Sequence, residues 1–494
     1  MAFPGSIANQ TMAAIRFGYG LRLSEKAPAD ADALISQIDK GVAQKARFPR
    51  EGLTGRAETV TRIVSVRAAE AKARQAGKGN DDIRKQIQQE ARRIYRQDAM
   101  ARMAQAVYSP LGFYERLASF WMDHFSTSVM KSLSMRMLVP MYEAQAIRPN
   151  IGGPFSRLLQ SAIVHPAMLI YLDQSQSVGP DSVAGRRNNR GLNENLGREL
   201  LELHTLGAGS GYNQNDVRSA ALVLTGLAVD NRSLEVVYRQ NIAEEGPITV
   251  LGRTYRDDEG QGQDHLLLLE DLAADPRTAL HVSRKLAAHF IADDPPGEIV
   301  QAMVDAWSKS QGNLTEVYRA MLTHPAAWIN PGRKIKKPFE FVISGFRALD
   351  LPERNFATLV SDIDVENADR GPVGDAMEMV GAPSQADIRK RATRANSLTL
   401  AALQRMGQPI WQPPSPAGFA DEERVWLAPS QLSERIAWSR MMARVFGQKM
   451  EPSEFLQAAL ADAVSPETRT IIGQAPNKVH GITMVFASPE FNRR

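Results

Sequence analysis

The stretch 193–207, NENLGRELLELHTLG, places a carboxylate and an imidazole among leucines that repeat at helical spacing. At 100° per residue, Glu199 projects close to Leu203 and His204 projects beside Leu200, so both polar groups flank the apolar stripe. A buried isolated charge is very costly, so a carboxylate at this place must be paired, protonated or bound to a metal. We therefore expect Glu199 and His204 to be either a structural polar pair or groups that carry chemistry.

Gly197 lies in the first turn of the same predicted helix. Glycine in a helix costs about 1 kcal/mol relative to alanine. A glycine at such a place marks the close approach of another backbone or of a ligand, because it has no Cβ. The sequence therefore predicts a close approach at Gly197.

The segment 110–125 supplies a second histidine. Its apolar residues repeat at helical spacing up to His124, which places this histidine on or near the buried face. Glu199, His124 and His204 together offer oxygen and nitrogen ligands for a metal such as Zn, Fe or Mn. As catalytic groups, the histidines would be ligands or general base, and Glu199 a ligand or proton carrier. Neither His-Glu-x-x-His nor paired Glu-x-x-His helices are present, so inert, hydrogen-bonded histidines remain the alternative.

The segment 173–192 is polar and basic, and its lack of apolar periodicity predicts a long loop. It carries Arg186, Arg187 and Arg190 shortly before the helix that begins near residue 193. Guanidinium groups beside a helix N-terminus suit an anionic substrate with a phosphate, sulfate or carboxylate group. A solvated basic loop is the alternative.

Two further histidines, His165 and His324, each follow an apolar helix and precede Pro-Ala. A polar residue followed by proline at the first helical position is typical of a helix N-cap. We therefore predict that both histidines cap helices and do not bind a metal.

The composition excludes several classes of function. The chain has 494 residues, a formal net charge of +4 and no cysteine, which rules out disulfides, thiolate catalysis, iron–sulfur clusters and cysteine-bound zinc. The mild charge, without clustered basic residues or a recognisable module, argues against nucleic-acid binding. No stretch of about 18 apolar residues is present, so no membrane span is expected. The N-terminus lacks the pattern of a signal peptide, which predicts a cytoplasmic protein by default.

The periodicity predicts a mainly α-helical, bundle-like protein with one small β-hairpin at about 228–256. A main helical body would cover 1–350 and include a long charged helical pair at 57–98. Residues 351–396 form a polar excursion, and 397–494 form a C-terminal helical part that packs on the main body.

Long motifs in a fixed order run through almost the whole chain. They are RFGYG, FWMDHF, HPAMLIYLD, SVGPDSVAGRRNNRGLNENLGRELLELHTLG, GYNQNDVRSAALVLTG, DLAADPRTALHVSRKLAAHFIADDPP, KKPFEFVISGFRAL and GQPIWQPPSPAGFAD. With these motifs the chain resembles the bacterial family named domain of unknown function 1800. The resemblance implies a largely helical fold without an assigned activity. Genes of this family often neighbour those of an exported companion with an alkaline-phosphatase/sulfatase-like fold. This implies a partner role and a route to the periplasm by co-export.

The resemblance also points to particular residues. Its strongest motifs contain His124, Asn193, Glu194, Asn195, Arg198, Glu199, Glu202 and His204. Among these, Asn193, Asn195 and Arg198 join the three arginines as candidate substrate-binding residues. Two departures concern the site: the family often has asparagine where this chain has Asp123, and histidine where this chain has Ala243. If that histidine were a metal ligand in relatives, the metal hypothesis would be weaker here.

Three functions remain open at this point. The leading hypothesis is an accessory protein for the exported companion, with a polar pocket built from segments 110–125, 173–192 and 193–206. The second is a metal-dependent or acid–base, hydrolase-like enzyme that acts on an anionic substrate. The third is a structural scaffold. An enzyme requires Glu199, His124 and His204 in one cleft, whereas a partner requires an exposed apolar patch.

Overall fold

The computed structural model describes residues 7–188, 191–256, 263–368 and 384–494. About 65% of the chain is helical, and the described strands form two small antiparallel sheets. The predicted mainly α-helical fold is therefore confirmed. Within the described ranges, no helix has the length and apolar character needed to cross a membrane.

The helices are numbered in chain order. Those of the first half are α1 Asn9–Met12, α2 Ala31–Ala43, α3 Gly52–Gln75, α4 Asp81–Tyr108, α5 Gly112–His124, α6 Met135–Tyr142, α7 Phe155–Ile163, α8 Pro166–Tyr171, α9 Val183–Asn188, α10 Asn195–Glu199 and α11 Gln214–Val223. Those that follow are α12 Asp264–Ala274, α13 Pro276–Phe290, α14 Gly297–Ser310, α15 Leu314–Thr323, α16 Pro338–Ala348, α17 Glu353–Ala368, α18 Gln385–Leu398, α19 Leu400–Arg405, α20 Glu423–Trp426, α21 Pro429–Phe446, α22 Pro452–Leu460, α23 Pro466–Gly473, α24 Lys478–Ala487 and α25 Pro489–Asn492.

Several of these helices are interrupted or joined by tighter and wider turns. The 3₁₀ turns are Arg148–Asn150, Gln174–Gln176, Gln240–Ile242 and Pro325–Ala327. The π-helical turns are Ala13–Phe17, Glu143–Ile147 and Leu200–His204. Single π-turns are frequent at functional sites, and the last one contains a candidate histidine.

Local capping explains several helix starts. The Nδ1 atom of His165 accepts a hydrogen bond from the amide of Ala167 at 3.1 Å, and His324 Nδ1 accepts one from Ala326 at 3.2 Å. Each cap supplies an acceptor to a helix N-terminus, which has amides without an intrahelical partner. The prediction that both histidines are caps is confirmed.

The β structure consists of two strand pairs and not of one hairpin. β1 Leu227–Val229 pairs with β2 Val236–Tyr238, and β3 Ile248–Val250 pairs with β4 Arg253–Tyr255. The segment contains two separate turns, because the Asp230 carboxylate accepts amide hydrogen bonds that close the first one. In the second turn, two consecutive residues adopt positive φ, at 50° and 83°, as a two-residue hairpin loop requires.

The predicted polar loop at 173–192 contains more local order than its composition indicates. A 3₁₀ turn and helix α9 form within it. The hydroxyl of Ser182 accepts a hydrogen bond from the Gly185 amide at 3.0 Å, which supports the start of α9. Val178 and Ala184 belong to a small apolar cluster with Ala228 and Ile242. The segment is therefore not a loop throughout, because it contains α9. The hydrogen bond at Ser182 and the small apolar cluster stabilise this helix, although its sequence has no apolar stripe.

α16 is the central helix of the protein. All eleven of its residues are buried, including two charged ones. The rings of Phe341 and Phe346 pack against Trp438 of α21, and Phe346 also packs against Phe356 of α17. The segments that follow α16 are therefore joined to it through one apolar core, and the buried charges of α16 require partners.

Candidate functional site

The structure brings His124 and His204 together and adds His281 of α13. The two rings lie 6.1 Å apart, and the rings of His124 and His281 lie 6.3 Å apart, as measured between centroids. His124 Nε2 donates to the carbonyl of His204 at 3.1 Å, and His281 Nε2 donates to the carbonyl of Leu203 at 3.1 Å. We call these three side chains the histidine cluster.

The backbone around this cluster is unusually shaped. Leu200–His204 is π-helical, and the Thr205 hydroxyl donates to the carbonyl of Leu200 at 2.6 Å. Gly207 follows with φ +89°, and a Cβ there would lie 2.7 Å from His281 Nδ1. The wider turn and the glycine allow α13 to approach the end of this segment.

The prediction for Gly197 is confirmed. A Cβ on this residue would lie 2.8 Å from the amide nitrogen of Ala221. The glycine therefore permits close packing of α10 against α11, and the approaching group is a backbone.

The histidine cluster is neutral and lies beside a cation. Burial, followed by the repulsion of Lys285, lowers the pKa of His204 to about 3 and that of His281 to about 4. The same causes lower the pKa of His124 well below its usual value. Both ring nitrogens of His204 and Nδ1 of His124 are buried, and the part of the chain that the structure describes offers them no hydrogen-bond partner. Among the described residues, no group of three or more histidine or carboxylate side chains is arranged to hold a metal ion.

Glu199 lies apart from the histidine cluster. It is half-buried, and burial together with the neighbouring charge of Glu202 raises its pKa. Its charge in turn raises the pKa of Tyr171. No hydrogen bond, ion pair or ring contact found in the described residues links Glu199 to His124 or His204.

The candidate substrate-binding residues form surface contacts. Arg186 pairs with Glu245 at 2.6 Å, and Arg187 is exposed. Asn193 Oδ1 accepts a hydrogen bond from the Asn195 amide at 3.0 Å. The remaining two candidates are Arg198 and Arg190. Arg198 donates to Gln214 at 2.9 Å and lies 3.5 Å from Glu194, and Arg190 falls outside the described residues.

A second cluster of charged residues lies in the interior, and we call it the lysine cluster. The ammonium group of Lys337 lies 3.2 Å from the carboxylate of Asp123 and 2.9 Å from that of Asp421. His289 Nδ1 donates to Asp421 at 2.9 Å, and its Nε2 accepts from Arg116 at 3.1 Å. Residues from α5, α13, α16 and the segment before α20 therefore meet at one point.

Charge balance sets the protonation of this cluster. Burial alone would lower the pKa of Lys337, but Asp421 and Asp123 raise it above the usual value. Burial raises the pKa of Asp123, and Lys337 only partly offsets this effect. Burial would also raise the pKa of Glu340, yet Arg116 and Arg494 hold it at about 2. Asp123 is thus the carboxylate of this group that is closest to accepting a proton.

A narrow cleft opens onto the lysine cluster. Its walls include Arg102, Asp123, Ser126, Thr127 and Lys337. The hydroxyls of Ser126 and Thr127 are buried and have no hydrogen-bond partner among the described residues. The volume that the centre of a water molecule can reach is about 40 Å³, which is enough for about three waters. We call this space the cleft.

The proline-rich segment 407–421 closes the cleft from one side. A Cβ on Gly418, which has φ +81°, would lie 2.5 Å from the carbonyl oxygen of Asp123. Trp411 has φ +55°, and its indole donates to the buried carboxylate of Glu143 at 2.6 Å. This segment therefore needs glycine at its contact with α5, and a buried hydrogen bond fixes its turn.

The model of a family described as protein of unknown function (DUF1800) matches residues 12–493. The chain belongs to the DUF1800 family. Comparison with curated proteins and with solved structures finds no match. The family match spans all the elements that form the cleft and both clusters.

The interpretation of the sequence missed the lysine cluster of this DUF1800 chain, although a signal was present. Lys337, Asp123 and Asp421 each belong to a long motif, and Asp123 in FWMDHF lies among aromatic and apolar residues. Such charges in apolar surroundings are expected to be buried in pairs.

Proposed function

We propose that the protein binds a small anionic group in the cleft and acts on it by acid–base chemistry. The observation that carries this proposal is the meeting of Arg102, Lys337 and two unpartnered buried hydroxyls at one cavity. A buried hydroxyl without a partner is costly and calls for an explanation. Hydrogen bonds to a ligand are such an explanation.

Arg102 is the best-placed anion-binding group. Its Nε donates to Glu143 at 2.7 Å, and its guanidinium lies over the rings of Phe339 and Trp411 at 4.9 and 5.6 Å. This bond and the stacking fix the side chain but leave the terminal amino groups available. Guanidinium groups bind phosphate, sulfate and carboxylate through paired hydrogen bonds. The small cavity suits a single head group of this kind.

Asp123 is our candidate for the proton carrier. Burial raises its pKa, so this carboxyl takes up a proton more readily than an ordinary aspartate does. Lys337 joins it to Asp421 and fixes its position. This assignment replaces the predicted roles of Glu199, His124 and His204 in an enzyme. Glu199 lies elsewhere, and the histidines have no described carboxylate partner.

The test is a hydrolysis screen with phosphate, sulfate and carboxylate esters of p-nitrophenol across a pH series. Asp123→Asn should lower turnover by about a hundredfold or more, the usual contribution of a general acid or base. Folding should be preserved, because Lys337 keeps its contact with Asp421. Asp82→Asn is the matched control, since this carboxylate is exposed on α4.

A binding measurement separates the two parts of the proposal. Arg102→Gln should weaken binding of inorganic phosphate or sulfate by about tenfold or more. If no ester is hydrolysed but this loss is seen, the anion-binding part stands and the acid–base part is abandoned. If neither variant changes hydrolysis or binding, the whole proposal fails.

The partner function implied by the family resemblance is a separate hypothesis. It needs a contiguous exposed apolar surface. The large apolar side chains that are exposed among the described residues are Leu23, Leu53, Val66, Met130, Val183, Leu267, Leu280, Ile329, Val425, Leu432, Ile436 and Ile471. They belong to many different segments, so we give the cleft priority. Co-purification with an alkaline-phosphatase/sulfatase-like companion is the test of the partner function.

A further inference from the structure

A second cavity lies on the outer side of segment 409–412. Pro409 and Ile410 line both this cavity and the cleft, so the segment is a shared wall. The volume that the centre of a water molecule can reach here is about 200 Å³. The charged residues that line it are Arg92, Arg96 and Arg136. We call this space the arginine pocket.

The arginines of this pocket lie close to one another. Arg92 and Arg96 are four residues apart on α4, and Arg136 lies in the first turn of α6. Among the described residues, no acidic side chain lies within ion-pair distance of Arg92 or Arg136. Like charges four residues apart destabilise a helix. Burial and the charge of Arg92 both lower the pKa of Arg136.

The uncharged lining of the pocket is also rich in hydrogen-bonding groups. It includes the side-chain amides of Asn396, Gln404 and Gln412. Gln412 Nε2 donates to the Tyr95 hydroxyl at 2.7 Å, and this hydroxyl donates to the carbonyl of Ile410 at 3.0 Å. These bonds fix the shared wall, so the pocket exists without a ligand-induced rearrangement.

We propose that the arginine pocket binds a tetrahedral oxyanion of the phosphate or sulfate type, either free or as the end of an ester. Two guanidinium groups without acidic partners, from different helices, supply the charge and the forked donors that such oxygens accept. The neighbouring amides supply further donors. The bound anion offsets the repulsion between Arg92 and Arg136. The proposal does not depend on the function of the cleft.

The experiment is a titration of the full chain with sodium phosphate, sodium sulfate and phenyl phosphate in a phosphate-free buffer of low ionic strength. Heat of binding and melting temperature are both recorded. All proteins of this titration carry Arg102→Gln, which weakens anion binding in the cleft, and the protein with this single change is the wild-type reference. The test variant adds Arg92→Gln and Arg136→Gln. Arg93→Gln is the matched control, because Arg93 is exposed on the same helix and donates to Gln97 at 3.1 Å.

The double variant should bind phosphate or sulfate at least about tenfold more weakly than the wild type. Without anion its melting temperature should equal or exceed that of the wild type, because repulsion is relieved. Phosphate should then raise the melting temperature of the wild type and of Arg93→Gln, but not of the double variant. Tighter binding of phenyl phosphate than of inorganic phosphate would identify an ester as the ligand, and equal binding a free anion.

Two outcomes would overturn the proposal. One is saturable binding that is unchanged in the double variant, which would place the anion elsewhere. The other is an equal rise of melting temperature in all three proteins, which would be a general salt effect. If the double variant fails to fold, Arg92→Gln alone is used, because this side chain is exposed. Arg102→Gln distinguishes the two sites, since it affects only the cleft.

Discussion

The buried histidine His204 should make the protein sensitive to acid. Its ring is inaccessible, and neither of its nitrogens has a hydrogen-bond partner within the described ranges. Burial, then Lys285 and His281, lower its pKa from 6.5 to about 3. The unfolded chain therefore binds a proton at a higher pH than the folded chain does. The contribution of His204 to the free energy of unfolding is fully present above the pKa of the unfolded chain. It falls as the pH drops from about 6.5 towards 3.

The magnitude follows from the two pKa values. Between pH 7 and pH 5, proton binding to His204 of the unfolded chain costs the folded state about 2 kcal/mol. His204→Phe removes this protonation site. It breaks no ring hydrogen bond that is found in the described residues. We expect the variant to be about as stable as the wild type at pH 7. On acidification to pH 5, its free energy of unfolding should fall by about 2 kcal/mol less than that of the wild type.

The assay is urea unfolding of both proteins at pH 7 and pH 5, with His480→Gln as the control because its ring is exposed. Parallel loss of stability in the wild type and in His204→Phe would refute the argument. It would mean that His204 is not held neutral in the folded protein. His204→Leu repeats the comparison with a smaller side chain, in case phenylalanine is too large for the site.

Three further predictions concern packing, charge and metal. Gly197→Ala should destabilise the protein by about 1–3 kcal/mol through its clash with Ala221, whereas Gly297→Ala, which meets nothing within 4 Å, should be neutral in the same urea experiment. Lys337→Met should cost about 1–3 kcal/mol, because it removes the buried ammonium group from two partly buried carboxylates, of which Asp421 keeps, among the described residues, only its bond from His289; a melting temperature equal to the wild type would contradict this. Elemental analysis after purification without chelators should find no stoichiometric Zn, Fe or Mn. Two ring nitrogens of the histidine cluster are bonded to carbonyls, and a nearby lysine repels cations. A metal that disappears in His204→Ala would overturn that prediction.

Local features of this fold were predictable from the sequence. The caps at His165 and His324 depend on residues within one turn of a helix, and Gly197 marks a close approach without naming its partner. The shape of the backbone around His204 was not predictable from the sequence. The positions of Glu199 and His204 were projected at 100° per residue, but Leu200–His204 is a π-turn with wider hydrogen-bonded rings. The wider turn changes the direction of each side chain after Leu200.

The lysine cluster could not be derived from spacing, because its members are far apart in the chain. Lys337 and Asp123 are separated by 214 residues. Helical periodicity places each residue on a face but does not say which faces meet.

The second strand pair was missed for a different reason. Its turn has only two residues, and the segment alternates too briefly to separate two pairs from one longer hairpin.

α13 connects the two clusters, and its sequence carried a signal for this. His281, Lys285 and His289 are spaced four residues apart, so they share one face of the helix. His281 belongs to the histidine cluster, and His289 donates to Asp421 of the lysine cluster. Lys285, between them, lowers the pKa of all three clustered histidines and is itself attracted to Asp421 and Asp123.

A change of charge at the cleft should therefore reach the histidines through Lys285. Protonation of Asp123 removes one of the two carboxylates that stabilise the ammonium form of Lys285. A weaker charge on Lys285 in turn reduces its repulsion of the histidine cluster. One face of α13 thus couples the charge of the cleft to the protonation of His124 and His204. The sequence indicated these two histidines, and the structure adds the cleft.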